Sequence, residues 1–455
     1  MFHRSKSNAA GQSMFPLGFN KVFNQLISPE LLAKCCSVRT TARGRPASLP
    51  RTTLLRALVF HFASGVGTFG QHLLSLTGRS MSESTLSERR SALPWEVFER
   101  LLRCSLKPLA QKKKHAGAFW RDWRLLAMDG TCWDLPNTPG QALPRTKASK
   151  GGWAAFAKLR TTVLLELGLH NPLAVALARH GQSEWALIGQ ILAQLPKGCL
   201  LLADKLYGCA AFAVQALDRC QKVGSHFLVR VSFQHDYPVL KRLSDGSRII
   251  RVPYRDRKVP KKILRYLELR EIRVRAQHKG FRPVTVRLWT TLTDEKEAPA
   301  LELAQLYCSR WDEELYFLEL KHHLRKGQRL QSQTLETALQ EVAAIILASA
   351  LLAQERARAT GKQVPVLQIS FAKTLELVRA LWILVALAGE LVSDELIRKL
   401  TQRIGRYLRK VRTPKRRSRS CQRKVRQIRK GYSRMVKPTS IETPIQVSIM
   451  HRRRS

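Results

Sequence analysis

The sequence predicts an α/β protein: a mixed, partly parallel sheet with helices on both faces, interrupted by a β-rich insertion and flanked by helical regions. Three observations carry this. Between 124 and 231, short apolar runs and amphipathic stretches follow one another in the order strand, strand, strand, helix, strand, helix, strand. Between 233 and 295, apolar residues alternate with Arg, the two-residue period of strands. Residues 1–115 and 296–400 instead show helical spacing, and 401–455 change composition altogether. The expected organisation is a helical N-terminal domain (1–115), a first core segment (116–232), the β-rich insertion (233–295), a second core segment with covering helices (296–400) and a basic tail (401–455).

Charge is the unusual bulk property. The 455 residues hold 79 Lys and Arg against 33 Asp and Glu, a formal net charge of +46. Such a field calls for a polyanion, with nucleic acid ahead of an anionic membrane surface. Hydrophobic content of 44% excludes a disordered chain. The nine Cys contain no CxxC pair, which predicts reduced thiols in a cytoplasmic protein and argues against a zinc site. Residues 1–18 have no apolar core of signal-peptide length, and the runs 342–353 and 380–389 fall short of the roughly 18 residues of a membrane span.

Taken in order, residues 20–37 predict one amphipathic helix, with Val22, Phe23, Leu26, Ile27, Leu31 and Leu32 on its apolar side. A basic loop, 39–51, contains Arg43-Gly44-Arg45-Pro46. Helices are expected over 54–62 and 69–76, then a turn and a helix capped by Ser84 that carries Arg89 and Arg90. The charge makes this a DNA-end-binding domain in expectation, with Arg89 and Arg90 near the duplex. Lys112-Lys113-Lys114 marks the linker to the core.

The first core strand is Arg124–Thr131, an apolar run that delivers Asp129 followed by Gly130. Strands over 159–167 and 173–178 form a meander around the turn 168–172, and a helix over 184–195 stops at Pro196 and Gly198. Cys199–Asp204 is another apolar run ending in Asp, followed by a helix over 207–220 and a strand over 226–231. The insertion predicts strands over 247–252, 266–275 and 284–291 with a cationic face for DNA, and it holds Trp289. Long apolar helices are expected over 335–356 and 371–400. The tail 401–455, with 19 Lys or Arg and one acid, reads as a nonspecific phosphate binder, partly helical over 403–434.

Residues 307–321 lack Gly and Pro and read as one helix. At 100° per residue, Tyr307, Arg310, Glu314 and Lys321 share a face. One carboxylate, two cations and a phenol together suit a phosphate and a metal ion. The spacing Tyr, two residues, Arg, three residues, Glu, six residues, Lys resembles the signature of the insertion-sequence-four family of bacterial transposases. The resemblance spans about 125–352 and implies a ribonuclease-H-like catalytic core whose Asp, Asp, Glu triad would be Asp129, Asp204 and Glu314. These three would hold two Mg²⁺ (Mn²⁺ as an alternative) about 3.5–4 Å apart, with Asp129 bridging. It implies that Arg310 and Lys321 clamp backbone phosphates, that Tyr307 packs on the transferred strand, and that Trp289 stacks a flipped base during hairpin formation. One departure is Lys205-Leu206-Tyr207-Gly208 after Asp204, where members often show Arg-Gly-Phe.

The expected activity is therefore cut-and-paste transposition. The enzyme would nick the transposon ends, form a hairpin and join the 3′-OH to target DNA. A homodimer would act on double-stranded DNA, in a bacterial cytoplasm at the nucleoid, away from any membrane. Alternatives are a ribonuclease-H-like nuclease that hydrolyses without joining, an inactive DNA-binding relic or regulator, and a basic membrane-surface protein.

Overall fold

The structure is a computed structural model that describes residues 18–37, 49–65, 67–140, 143–145, 152–277, 283–327, 329–360, 364–413 and 446–449. In chain order these form α1 (Gly18–Leu26), α2 (Pro29–Cys36), α3 (Arg51–Ser64), α4 (Phe69–Thr77), α5 (Glu83–Ser91) and α6 (Trp95–Ser105). Next come β1 (Phe119–Trp120), β2 (Trp123–Asp134), β3 (Lys158–Glu166), β4 (Asn171–Leu177), α7 (Glu184–Leu192), β5 (Cys199–Ala203), α8 (Ala210–Lys222) and β6 (His226–Val231). The insertion contributes β7 (Val239–Arg242), β8 (Arg248–Arg255), β9 (Ile263–Gln277) and β10 (Val284–Thr290). Then follow α9 (Ala300–Tyr307), α10 (Trp311–Leu318), α11 (Leu335–Thr360), α12 (Phe371–Ala388), α13 (Asp394–Lys410) and β11 (Gln446–Ile449).

The chain divides into two compact units, 1–109 with 134–157 and 319–412, and 110–133 with 158–318 and 413–455. The expected boundaries do not coincide with this division. The N-terminal helices do not stand apart, because α11 is buried along nearly its whole length and needs helices around it. It packs on α3 and α6 from the N-terminal region and on α12 and α13. Helix α11 is long and apolar enough to cross a membrane, with a mean hydropathy of 1.6 over its apolar window, yet 89% of that window is buried inside the protein.

The buried carboxylates among the described residues of this helical unit, Glu319, Glu341 and Glu355, are paired. Glu341 accepts from the Ser332 amide and hydroxyl and faces Arg325 at 3.1 Å, and Arg356 pairs with Glu319 at 3.0 Å. The helix expected over 20–37 is two helices, because Pro29 starts α2 at its first turn with Ser28 as the cap. The cap of α5 is Ser82 rather than Ser84. Helix α6, Trp95–Ser105, was missed; its N-terminal cap position is Pro94, which has no capping side chain to signal it. The Arg43–Pro46 loop and most of the basic tail lie outside the described residues; of the tail, 401–413 and β11 are described.

The other unit is built on one 11-stranded sheet whose main path runs β4-β3-β2-β5-β6-β10-β9-β8-β7. Strands β2, β5 and β6 are parallel neighbours, and β3–β4 is the antiparallel meander the sequence predicts. Leu126, Met128, Leu201 and Val229 pack with Leu187, Ile188 and Phe212 of α7 and α8 on one face. Leu125 and Ala127, which alternate with them, are buried as well, so both faces of the central strands are covered. The insertion continues the same sheet, because β10 pairs antiparallel with β6 and β9 with β10. Strand β11 pairs with the C-terminal end of β9.

The expected cationic face of the insertion is internal in part. Arg270 and Arg287 are fully buried, Arg270 against Asp245 and Arg287 against Glu271, and Arg248 and Arg273 share Glu271 with it. Guanidinium groups that alternate with apolar residues here serve a buried polar network, which demands paired charges. Exposed cations remain on the strands at Arg251 and Arg255 of β8 and Arg275 of β9, and others sit in β7 (Lys241, Arg242) and in the turn between β8 and β9 (Arg257, Lys258, Lys261, Lys262).

Candidate active site

The parallel ladder between β2 and β5 ends at the pair Met128–Ala203. Asp129 and Asp204 are the next residue on each strand, so the register sets them side by side, with neighbouring strands about 4.8 Å apart. Strand β2 runs on to Asp134, so Asp129 lies within it and not at its end as expected. Asp204 precedes a 3-10 turn, Lys205–Tyr207, and Gly208 follows. A Cβ on Gly208 would lie 2.2 Å from the Arg230 carbonyl oxygen, so the turn can tuck against β6 only with glycine there. The Tyr207-Gly208 departure from the family pattern thus keeps a tight turn after the carboxylate.

The third acid arrives on a composite helix. Helix α9 ends at Tyr307, Cys308–Arg310 is a 3-10 turn, α10 starts at Trp311, and Glu319–Leu324 is a π-helical turn. The single α-helix expected over 307–321 is corrected accordingly. Its angular argument survives locally, because Arg310 Nη2 meets Glu314 Oε1 at 2.8 Å one turn on. It does not carry to Lys321, which sits in the π-helical turn, where the rise and turn per residue differ, and belongs to the helical unit.

Arg310 organises the site. Its Nη1 donates to Asp129 Oδ2 at 3.2 Å while Nη2 holds Glu314, so two acids 185 positions apart (314 − 129) share one planar guanidinium. Tyr307 donates its hydroxyl to the Ala203 carbonyl at 3.2 Å, beside Asp204. Burial pushes Asp129 up to about 6, against the pull of the Gly130 amide and Arg310 and with the push of Glu184 and Asp204. Burial raises Tyr307 as well.

Three residues not foreseen complete the cluster. Glu313 is fully buried, neither carboxyl oxygen has a hydrogen-bond partner, and burial followed by the charge of Asp129 raises its pKa well above the usual range. Glu184, the first residue of α7, accepts from the hydroxyl of Tyr207. Tyr207 is fully buried, and burial and then Glu184 raise its pKa. The signal available in the sequence was thin: an acid opening the helix after the third core strand, and an acid beside an acid in Glu313-Glu314.

Trp289 does not take its expected place. It is 2% exposed in the core cluster, with its ring against Tyr237 at 5.4 Å, so no ring face is open to a base. Its position beside Leu288 in a central strand makes it packing. Arg90 is also corrected. It donates to Ser332 Oγ and the Thr337 carbonyl at 2.7 Å each and to Gln340, tying α5 to α11 within the helical unit, whereas Arg89 is exposed.

The donor set fits a divalent cation. Among the described residues, no three acidic, His or Cys side chains already close around an ion-sized gap, and Arg310 stands between Asp129 and Glu314. Carboxyls nevertheless outnumber cations here, and Glu313 holds two buried oxygens without a partner. An all-oxygen, anionic set suits a hard divalent cation rather than zinc or copper.

Residues 120–351 match the family described as Transposase DDE domain. The chain belongs to the DDE transposases, enzymes that cut DNA and join strands and that work with divalent metal ions. It is 24% identical over 334 residues to "Transposase InsG for insertion sequence element IS4" of Escherichia coli (strain K12), covering 71% of this chain and 73% of that protein. The family resemblance carried by Tyr307, Arg310, Glu314 and Lys321 is thereby borne out, and the protein is a transposase of the insertion-sequence-four kind. Among solved structures, a piggyBac transposase synaptic complex with hairpin DNA aligns over 88% of this chain and 87% of its own at 12% identity and TM-score 0.45.

Proposed function

We propose that Asp129, Asp204 and Glu314 are the catalytic carboxylates of a cut-and-paste transposase with a ribonuclease-H-like core. The observation that carries this is the ladder register, which sets Asp129 and Asp204 next to each other while Arg310 binds Asp129 to Glu314. The strand order, a three-stranded part-antiparallel meander continued by two parallel strands, supports the core assignment.

In this reading Asp129, Asp204 and Glu314 would together hold the divalent cations. Two Mg²⁺ held there would supply an activated water at neutral pH and neutralise the leaving oxygen. The residues of the chain do the rest. Asp129 and Glu314 present oxygens on one side, and Arg310 can turn from them to a phosphate when their charge is matched by a cation. Tyr307 braces the strand end at Ala203 and offers a phenol to the DNA end. Lys321 is assigned to a backbone phosphate. Ends are first nicked, and the free 3′-OH then attacks the second strand to give a hairpin. A homodimer would hold two ends, with Arg89 and the exposed turn cations between β8 and β9 along the duplex. The site of action is the bacterial nucleoid.

A paired-end DNA substrate with terminal repeats from the flanking element tests this. Mg²⁺-dependent nicking, hairpin formation and joining are expected in the wild type, and Asp129→Asn and Glu314→Gln should lose all three by about 10³-fold or more while still binding DNA. Cleavage that survives both substitutions overturns the assignment. Cleavage without joining marks a nuclease instead.

A further inference from the structure

We propose that Glu184 is a fourth carboxylate of this centre, a ligand to the divalent cation held by Asp129 and Asp204. This rests on the metal-site reading given under Proposed function. The geometry is specific. A Cβ placed on Gly130 would lie 2.2 Å from Glu184 Cδ and Oε2 and 2.6 Å from Oε1, so the carboxyl occupies the space of the side chain missing beside Asp129. On its other side, the buried Tyr207 hydroxyl donates to Oε1. Tyr207 belongs to the turn that begins at Asp204. Glu184 is thus clasped between the residue after Asp129 and the turn after Asp204.

An acid in the first turn of a helix is common, because it complements the positive N-terminal end. That role needs neither a glycine at 130 nor a buried phenol at 207. A second, independent feature points to a ligand. Glu313 lies near the same group, fully buried, with both oxygens lacking a partner. Arg310 is already committed to Asp129 and Glu314. Among the described residues, Glu184, Asp204 and Glu313 have no ion-pair partner, so the carboxyls exceed the nearby positive charge. Carboxyls gathered in that excess favour a cation among them, and Mg²⁺ or Mn²⁺ takes up to six oxygens. Tyr207 pins one oxygen of Glu184 and so limits its rotation, which leaves Oε2 to reach the ion.

The test is Mn²⁺ binding to the full-length protein without DNA, read as free Mn²⁺ by electron paramagnetic resonance, with circular dichroism and thermal melting as fold controls. Glu184→Gln keeps the size and an oxygen for Tyr207 but removes the charge. It is expected to weaken the tighter Mn²⁺ site by about 10-fold or more, approaching Asp204→Asn, with an unchanged melting curve. Wild-type affinity in Glu184→Gln, together with weakened binding in Asp204→Asn, overturns the inference and leaves the site assignment standing. Wild-type affinity in both removes the site assignment and the inference with it. Should Glu184→Gln fail to fold, Tyr207→Phe serves instead. It removes only the hydroxyl that holds Glu184, and a loss of about 3-fold or more supports the inference, whereas no loss overturns it.

Discussion

Gly130→Ala isolates the contact between Gly130 and Glu184. The new Cβ would stand 2.2 Å from Glu184 Cδ, about 1.2 Å inside the 3.4 Å of an ordinary contact. The backbone of Gly130 is outside the left-handed region, so alanine suits it and only the side-chain clash opposes the change. Three terms decide the sign. The carboxyl must leave Tyr207, which loses a charge-assisted hydrogen bond worth about 1.5–3 kcal/mol. Residual crowding adds about 1 kcal/mol. Restricting the unfolded chain returns about 0.4–1 kcal/mol. Destabilisation of about 2–3 kcal/mol is expected. In a Glu184→Ala background both the clash and the hydrogen bond are already gone, so the same substitution should be neutral or stabilising by up to about 1 kcal/mol. Urea unfolding of the four proteins in the cycle should therefore give a coupling of at least about 2 kcal/mol. Equal costs in the two backgrounds would refute the contact.

Three further outcomes are expected. Arg310→Ala removes the cation shared by Asp129 and Glu314, so Mn²⁺ affinity should hold or rise while metal-dependent nicking falls about 10²-fold or more; a parallel loss of Mn²⁺ affinity would mean that Arg310 builds the metal site. Arg90→Ala removes the guanidinium hydrogen bonds to Ser332, Thr337 and Gln340 and should destabilise by about 2–4 kcal/mol, whereas Arg89→Ala should stay within about 0.5 kcal/mol and flatten the salt dependence of DNA binding, both read by urea unfolding and filter binding at several salt concentrations. Burial, then His72, lowers His61 from 6.5 to about 3. Folding thus favours the neutral ring. The stability it contributes is complete above pH 6.5 and is lost as pH falls towards 3, up to about 2 kcal/mol by pH 5. Unfolding midpoints at pH 8 and pH 5 should differ by less in His61→Asn than in the wild type.

Much of the sheet was legible because buried strands write themselves as apolar runs. The runs expected over 124–131, 159–167, 199–204 and 226–231 all became strands, the last three within a residue of expectation, while the first runs on three residues to Asp134. Position within a local pattern also placed Asp129 and Asp204 one residue past their apolar runs, and the four-residue step from Arg310 to Glu314 on one helical turn. Local patterning ran out where a partner distant in sequence decides the outcome. An Arg that alternates with Ile looks solvent-facing in any strand, yet Arg270 and Arg287 are buried because Asp245 and Glu271 meet them. Trp289 and Arg90 read as DNA contacts until Tyr237 and the α11 side of the helical unit claimed them. The sequence by itself determined the polyanion-seeking charge, the order of core strands and helices along the chain, and the local positions of Asp129, Asp204, Arg310 and Glu314. Only the tertiary structure decided that Glu313 and Glu184 join them, that the helix of Glu314 changes pitch along its length, and that the N-terminal helices share a core with α11. Hydrophobic period and motif spacing are properties of neighbours along the chain, whereas charge pairing and burial depend on neighbours in space, which no window of sequence contains.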